Sequence, residues 1–131
     1  MVKGSCHCGR VKWIYNSPVE SVTACNCTLC RRYGALWAYG VSPSEIQVEG
    51  PTSAYVWGNQ LSGFNFCNNC GCLAYYIANK PYEDGQRRVA VNFRMAEDPE
   101  QIQSLRIDHF DGLDKFEDLP SDGKSVKDLW F

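Results

Sequence analysis

The chain has 131 residues, which suits one domain with its own hydrophobic core and leaves little room for a second. A composition of 44% hydrophobic, 13% aromatic and 21% charged residues is globular and excludes a disordered chain. The net charge is -2 without a lysine or arginine run, which argues against nucleic-acid binding, and no apolar stretch is long enough to span a membrane. The opening residues lack the apolar core of a signal peptide, so we expect a cytoplasmic protein.

Seven short segments, rich in aromatic or β-branched residues and separated by turn residues, predict strands. They cover residues 10–15, 36–41, 46–49, 53–57, 63–67, 73–78 and 88–92. Helix signals are limited to one turn at residues 28–33 and a short stretch from Asp98 to about Ser104. The pattern predicts a mainly β fold of antiparallel sheets with few short helices, held together by zinc at one end.

From Arg106 to Phe131 the sequence predicts an irregular C-terminal tail. Its large apolar side chains are expected to anchor it on the sheets. They are Phe110, Phe116, Leu119, Leu129, Trp130 and Phe131.

The eight cysteines fall into three clusters, at positions 6 and 8, at 25, 27 and 30, and at 67, 70 and 72. Because a reducing cytoplasm does not preserve disulfides, clustered thiols there favour metal binding. Cys67-x-x-Cys70-Gly71 is a zinc knuckle, a tight turn that directs two thiolates at one ion. A structural zinc needs four ligands, so we expect Cys6 and Cys8 to complete this site.

The second cluster, Cys25-x-Cys27-x-x-Cys30, supplies three thiolates from a short stretch of chain. Three protein ligands with an open fourth position are typical of a catalytic zinc. Three thiolates donate much charge to the ion, so such a site suits the capture of a soft thiolate better than the generation of hydroxide. Arg31 and Arg32 follow directly and could offset the negative charge or bind a carboxylate.

Cys72 has two interpretations. It could close the second site as a fourth ligand, which would leave two structural zincs, or it could be a buried small hydrophobe. We expect it to lie near the reactive metal without binding it. A noncatalytic zinc-binding interaction module and a thiol-based redox or metal sensor therefore stand as alternatives to an enzyme.

The chain resembles the glutathione-dependent formaldehyde-activating enzyme (GFA) family, which also includes the domain of centromere protein V. The resemblance lies in the order of four motifs: Gly4-Ser5-Cys6-His7-Cys8-Gly9, then Cys25-x-Cys27-x-x-Cys30-Arg31, then Gly34-Ala35, then Phe66-Cys67-x-x-Cys70-Gly71. It implies a single GFA-type domain over residues 1–131 that carries two zinc ions (Zn²⁺). It also implies a structural zinc held by Cys6, Cys8, Cys67 and Cys70, and a catalytic, reactive zinc held by Cys25, Cys27 and Cys30.

The resemblance further implies a carbon–sulfur lyase whose partners are glutathione and a small aldehyde, formaldehyde. The reaction forms or breaks down S-hydroxymethylglutathione. Two positions depart from the family pattern. Asn26 stands where many members have histidine, and Cys72 stands where serine or threonine is common.

Overall fold

A computed structural model describes residues 1–129 of the chain and contains ten strands and one short helix within them. The strands are β1 (Val2–Ser5), β2 (Lys12–Tyr15), β3 (Ser21–Cys25), β4 (Trp37–Ser42), β5 (Ile46–Glu49), β6 (Thr52–Val56), β7 (Ser62–Cys67), β8 (Leu73–Ala78), β9 (Arg87–Asn92) and β10 (Arg106–Phe110). The helix is α1 (Cys30–Tyr33), and 3₁₀ turns occupy Phe93–Met95, Pro99–Gln101 and Val126–Leu129. In this part of the chain, no helix has the length and apolar character needed to cross a membrane.

The strands form two sheets, which confirms the predicted mainly β class. The small sheet has the order β1-β2-β5, and the large sheet has the order β10-β3-β4-β9-β8-β7-β6. Neighbouring strands are antiparallel except for β10 and β3, which run parallel. Parallel pairing requires a long connection. Here residues 93–105 carry the chain from β9 to the outer edge of β3.

The small sheet packs against one face of the large sheet and closes it from water. Trp13 of the small sheet stacks on Phe93, with ring centroids 5.2 Å apart, and both are buried with Val89 and Val91 of β9. The fit is tight at Gly4, where a Cβ atom would lie 2.1 Å from the Trp13 ring. This packing forms the main core of the molecule.

The opposite face of the large sheet carries the candidate site. Side chains of directly paired residues project from the same face of a sheet. Thr23 is paired with Trp37, and Phe64 with Tyr76, while Tyr39 follows Trp37 by two residues on β4. These side chains therefore form one surface, which is not covered by the small sheet.

The seven predicted strands are confirmed, with ends within two residues of those observed, whereas β1, β3 and β10 were not predicted. The predicted irregular tail is wrong where Arg106–Phe110 forms β10, because this segment pairs along its whole length with β3. Phe116 is 74% exposed and Leu119 is 39% exposed, so neither is a buried anchor, whereas Leu129 packs against the main core. Trp130 and Phe131 lie outside the described residues.

Candidate metal centres

The first and third cysteine clusters meet in space. The Sγ atoms of Cys6, Cys8, Cys67 and Cys70 all lie within 4.8 Å of one another. The Sγ atom of Cys8 is 3.6 Å from those of Cys6 and Cys67. A tetrahedral zinc with Zn–S bonds of about 2.3 Å separates its sulfurs by about 3.8 Å. The four sulfurs therefore fit a closed, four-coordinate zinc.

Two tight turns present these sulfurs. Cys6 follows β1, and Cys67 ends β7, where the amide of Gly71 donates to the Cys67 carbonyl over 2.9 Å. Gly71 has a φ of +80°, a conformation that glycine adopts without strain. Backbone amides surround the sulfurs: the Val11 amide donates to Cys6 Sγ, and the Cys70 amide donates to Cys67 Sγ. These donors stabilise thiolates, as metal ligation requires.

The second cluster is compact and has three sulfurs. The Sγ atoms of Cys25, Cys27 and Cys30 lie within 4.8 Å of one another. Cys25 ends β3 and Cys30 begins α1, so the loop between them bends back on itself. The Cys27 amide donates to Cys25 Sγ over 3.5 Å, and the Cys30 amide donates to Cys27 Sγ over 3.2 Å. The loop thus directs all three sulfurs at one point, in a set that leaves a tetrahedral ion one open position.

The three thiols share a network that favours loss of a proton. A hydrogen bond from Cys30, with further donors at the backbone of Cys27 and Gly112, lowers the pKa of Cys25 to about 6. The same contact with Cys25, together with burial, raises the pKa of Cys30. The buried Trp37 donates its indole N–H to Cys30 Sγ over 3.4 Å and opposes that rise. A bound cation would favour ionisation of all three thiols, because it offsets their mutual repulsion.

The segment that follows β10 covers the cluster. Phe110 is paired with Cys25, and a Cβ atom on Gly112 would lie 2.6 Å from Cys25 Sγ. Asn26 fastens this segment: its side-chain amide donates to Asp111 over 3.1 Å, and its oxygen accepts from the Leu113 amide over 3.0 Å. The carboxylate of Asp111 has a lowered pKa, because it accepts from the Lys115 amide and from Asn26. The cysteine loop and the chain after β10 are therefore one structural unit.

A cleft of about 740 Å³ extends from the three cysteines across the exposed face of the large sheet. Aromatic rings are prominent in its wall. They include Trp37, Tyr39, Phe64, Tyr76, Phe110 and Phe116. Of the residues among 1–129 that line the cleft, Arg88 is the one basic residue and Asp118 is the one acidic residue.

Comparison with known proteins bears on both clusters. The sequence model of the family described as "Glutathione-dependent formaldehyde-activating enzyme" (GFA) matches residues 1–109, which include all eight cysteines. The chain belongs to the GFA family. A crystal structure of a Rhodobacter sphaeroides protein shares the fold, with a TM-score of 0.60 and 24% sequence identity over 80% of this chain and 98% of that chain. No curated protein matches the sequence.

The predicted position of Cys72 in this GFA-family chain, beside the three-cysteine cluster, is wrong. Cys72 contacts Cys70 at the four-cysteine cluster and does not lie beside the three-cysteine cluster. The reason is local, because its carbonyl accepts from the Cys67 amide over 3.0 Å as the knuckle turns into β8. Burial and contact with the Cys70 thiol raise the pKa of Cys72. Closure of the three-cysteine site by Cys72 is thereby disfavoured.

The two arginines after Cys30 also differ from expectation. Arg31 and Arg32 are exposed on α1, and Arg32 donates to the Thr28 carbonyl, which helps to close the helix turn. Neither lines the cleft. Sequence reasoning missed Trp37 and Gly112, which lie against the cluster, and Arg88, which lines the cleft away from it. Nothing in the local sequence indicated that Trp37 would contact Cys30.

Proposed function

We propose that this chain is a zinc-dependent enzyme that adds glutathione to formaldehyde, or cleaves S-hydroxymethylglutathione as a carbon–sulfur lyase. The observation that carries the proposal is the contrast between the two clusters. Four sulfurs would satisfy one ion completely at the first cluster, whereas three sulfurs at the second face a cleft that can admit a further ligand. Family membership supports the same chemistry.

Cys25, Cys27 and Cys30 would hold the reactive zinc, and Cys6, Cys8, Cys67 and Cys70 would hold the structural one. A zinc at the three thiolates would bind an incoming thiol, lower its pKa and fix the position of its sulfur. In the forward reaction a bond forms between that sulfur and the carbonyl carbon, and the proton given up by the thiol is finally carried by the carbonyl oxygen. The cleft holds both reactants together, which lowers the entropic part of the barrier.

Residues of the cleft wall would assist the reaction through their positions. Trp37 packs in a buried apolar cluster with Cys30, and Phe110 lines the cleft beside Cys25. Both therefore shield the sulfurs from water. Tyr39 is at the same wall, and burial raises the pKa of its phenol. It therefore remains protonated at neutral pH and can donate a hydrogen bond to an oxygen in the cleft.

The test compares the unsubstituted, zinc-loaded protein with Cys27→Ser in the formation and breakdown of S-hydroxymethylglutathione. Cys27→Ser is expected to lose turnover beyond the spontaneous rate while keeping its fold, because the four-cysteine cluster is untouched. Cys72→Ser is the matched control and should retain turnover, since Cys72 lies away from the reactive cluster. Turnover by the unsubstituted protein at the spontaneous rate would contradict the proposal, as would a cobalt-substituted form whose spectrum does not respond to glutathione.

A further inference from the structure

We propose that Arg88 is the anion anchor of the cleft, so that its thiol substrate carries a carboxylate set away from the sulfur. The inference rests on the proposed function in one respect, because it takes the three-cysteine cluster as the position of the substrate sulfur. It adds to that function a specificity-determining residue, the one that would distinguish thiols with a distant carboxylate from thiols without one.

The cleft has a sulfur-binding end and a cationic end, joined by aromatic rings in contact. Trp37 donates to Cys30 Sγ over 3.4 Å, and its ring centroid is 4.9 Å from that of Tyr76. The Tyr76 centroid is 6.4 Å from that of Tyr39. The guanidinium carbon of Arg88 lies 5.4 Å from the Tyr39 centroid. A ligand can therefore lie along the rings with one end at the cysteines and the other at Arg88.

The guanidinium is available to a ligand. Arg88 is exposed, and within residues 1–129 its side chain makes no hydrogen bond or ion pair with another residue. Its neighbour Arg87 is engaged, since it donates to the carbonyls of Ala78 and Asn79. The contact with Tyr39 orients the Arg88 guanidinium toward the cleft, and its planar fork suits a carboxylate.

Charge sets the direction in which such a ligand lies. Asp118 is bridged to Phe110, which is paired with Cys25, so the one acidic group of the described cleft lining stands at the sulfur end. A ligand carboxylate is repelled there and attracted at Arg88. The orientation that satisfies both groups places sulfur at the cysteines and the carboxylate at the opposite end.

The separation of the ends selects for length. Tyr39, which supports the guanidinium, lies two residues beyond Trp37, or about 7 Å along the strand. An extended peptide spans about 3.3–3.6 Å per residue. In glutathione each carboxylate belongs to a residue beyond the cysteine, whereas the carboxyl carbon of free cysteine is only three bonds from its sulfur. Glutathione therefore suits a cleft whose sulfur end and cationic end are held by residues this far apart better than free cysteine does.

The test measures binding by titration calorimetry with S-methylglutathione, which keeps the carboxylates of glutathione but has no free thiol. Arg88→Gln is expected to raise the dissociation constant about tenfold through loss of a charge-assisted hydrogen bond. Arg88→Lys should recover part of this loss. Arg31→Gln is the matched control and should bind as the unsubstituted protein does.

A second measurement separates this proposal from the proposed function. In the cobalt-substituted protein, 2-mercaptoethanol, a thiol without a carboxylate, should change the metal spectrum equally with and without Arg88→Gln. If neither 2-mercaptoethanol nor glutathione changes that spectrum but S-methylglutathione binding still depends on Arg88, the proposed function fails and the anchor stands. Equal S-methylglutathione affinity for Arg88→Gln and the unsubstituted protein, or no measurable binding to the latter, overturns the anchor alone.

Discussion

At the three-cysteine cluster, Asn26 uses both ends of its side-chain amide. The nitrogen donates to Asp111 and the oxygen accepts from the Leu113 amide, so one residue between two cysteines fixes the segment that covers them. This gives a physical role to the residue between the first two cysteines of the cluster. The asparagine contributes no metal ligand, but it holds Gly112 against the sulfur of Cys25.

Gly112 is the residue at which the smallest change should disturb this cluster. In Gly112→Ala the new methyl group would lie 2.6 Å from Cys25 Sγ and 3.2 Å from Cys27 Cβ, so the cysteine loop or its cover must move. We expect the variant to lose the metal of the three-cysteine site on gel filtration while it keeps the other, as measured by metal stoichiometry.

Gly63→Ala is the matched control for that experiment. The nearest atoms to its added methyl group are 3.6 Å away, which is ordinary van der Waals contact. It should retain both metals. A Gly112→Ala protein with unchanged stoichiometry would mean that the cover adapts freely and does not constrain the sulfurs.

At the scale of elements, packing of the small sheet on the large one depends on the close approach of β1 to Trp13. Gly4→Ala would drive a methyl group into the indole, which stacks on Phe93 and cannot withdraw. Overpacking of this kind costs about 1–3 kcal/mol. We expect the free energy of unfolding, measured by urea titration, to fall by about that amount. Lys3→Ala, at an exposed position on the same strand, should change it little, and an equal loss in both variants would contradict the packing argument.

The success of sequence prediction differed between elements for a physical reason. β7 and β8 were predicted because short segments rich in aromatic or β-branched residues, bounded by turn residues, identify a strand without knowledge of its partner. β3 and β10 carry polar residues such as Thr23, Asp108 and His109, and each is stabilised by pairing with a strand that is distant in sequence. The local residue pattern carries no information about pairing with a distant strand, so the sequence predicted an irregular tail where β10 forms.

The same division applies to the candidate site. Each cysteine cluster was recognised from its short spacing, which is a local property. The need of a structural zinc for four ligands then joined the first cluster to the knuckle, and the four sulfurs do lie together. Trp37 and Arg88 reach the cleft through the pairing of β3 with β4 and of β4 with β9. Cys72 was misplaced because its spacing did not indicate which of the two cysteine clusters its side chain would join.

At the scale of the whole molecule, the two clusters differ in the segments of the fold that they connect. The four-cysteine cluster joins the end of β1 in the small sheet to the end of β7 in the large one. The three-cysteine cluster lies within one part of the large sheet, between β3 and α1. Loss of a metal should therefore have unequal effects on stability at the two places, because metal binding contributes to folding through the segments it connects.

Thermal melts of single variants test this difference. Cys67→Ser is expected to lower the melting temperature strongly or prevent folding, since it disconnects the two sheets. Cys27→Ser is expected to lower it only slightly, although it too removes one ligand from a metal site. Equal shifts in the two variants would show that the three-cysteine site is as important to the fold as the other.

The parallel pairing of β10 with β3 has a consequence for the order of events during synthesis. A chain leaves the ribosome from its N-terminus, and all eight cysteines lie within its first 72 residues. Phe110 and Gly112, which cover the three-cysteine cluster, emerge about 40 residues later than Cys70. A metal ion could therefore reach the three sulfurs of a nascent chain while they are still open to solvent. When β10 then pairs with β3, Phe110 and Gly112 come to lie against Cys25.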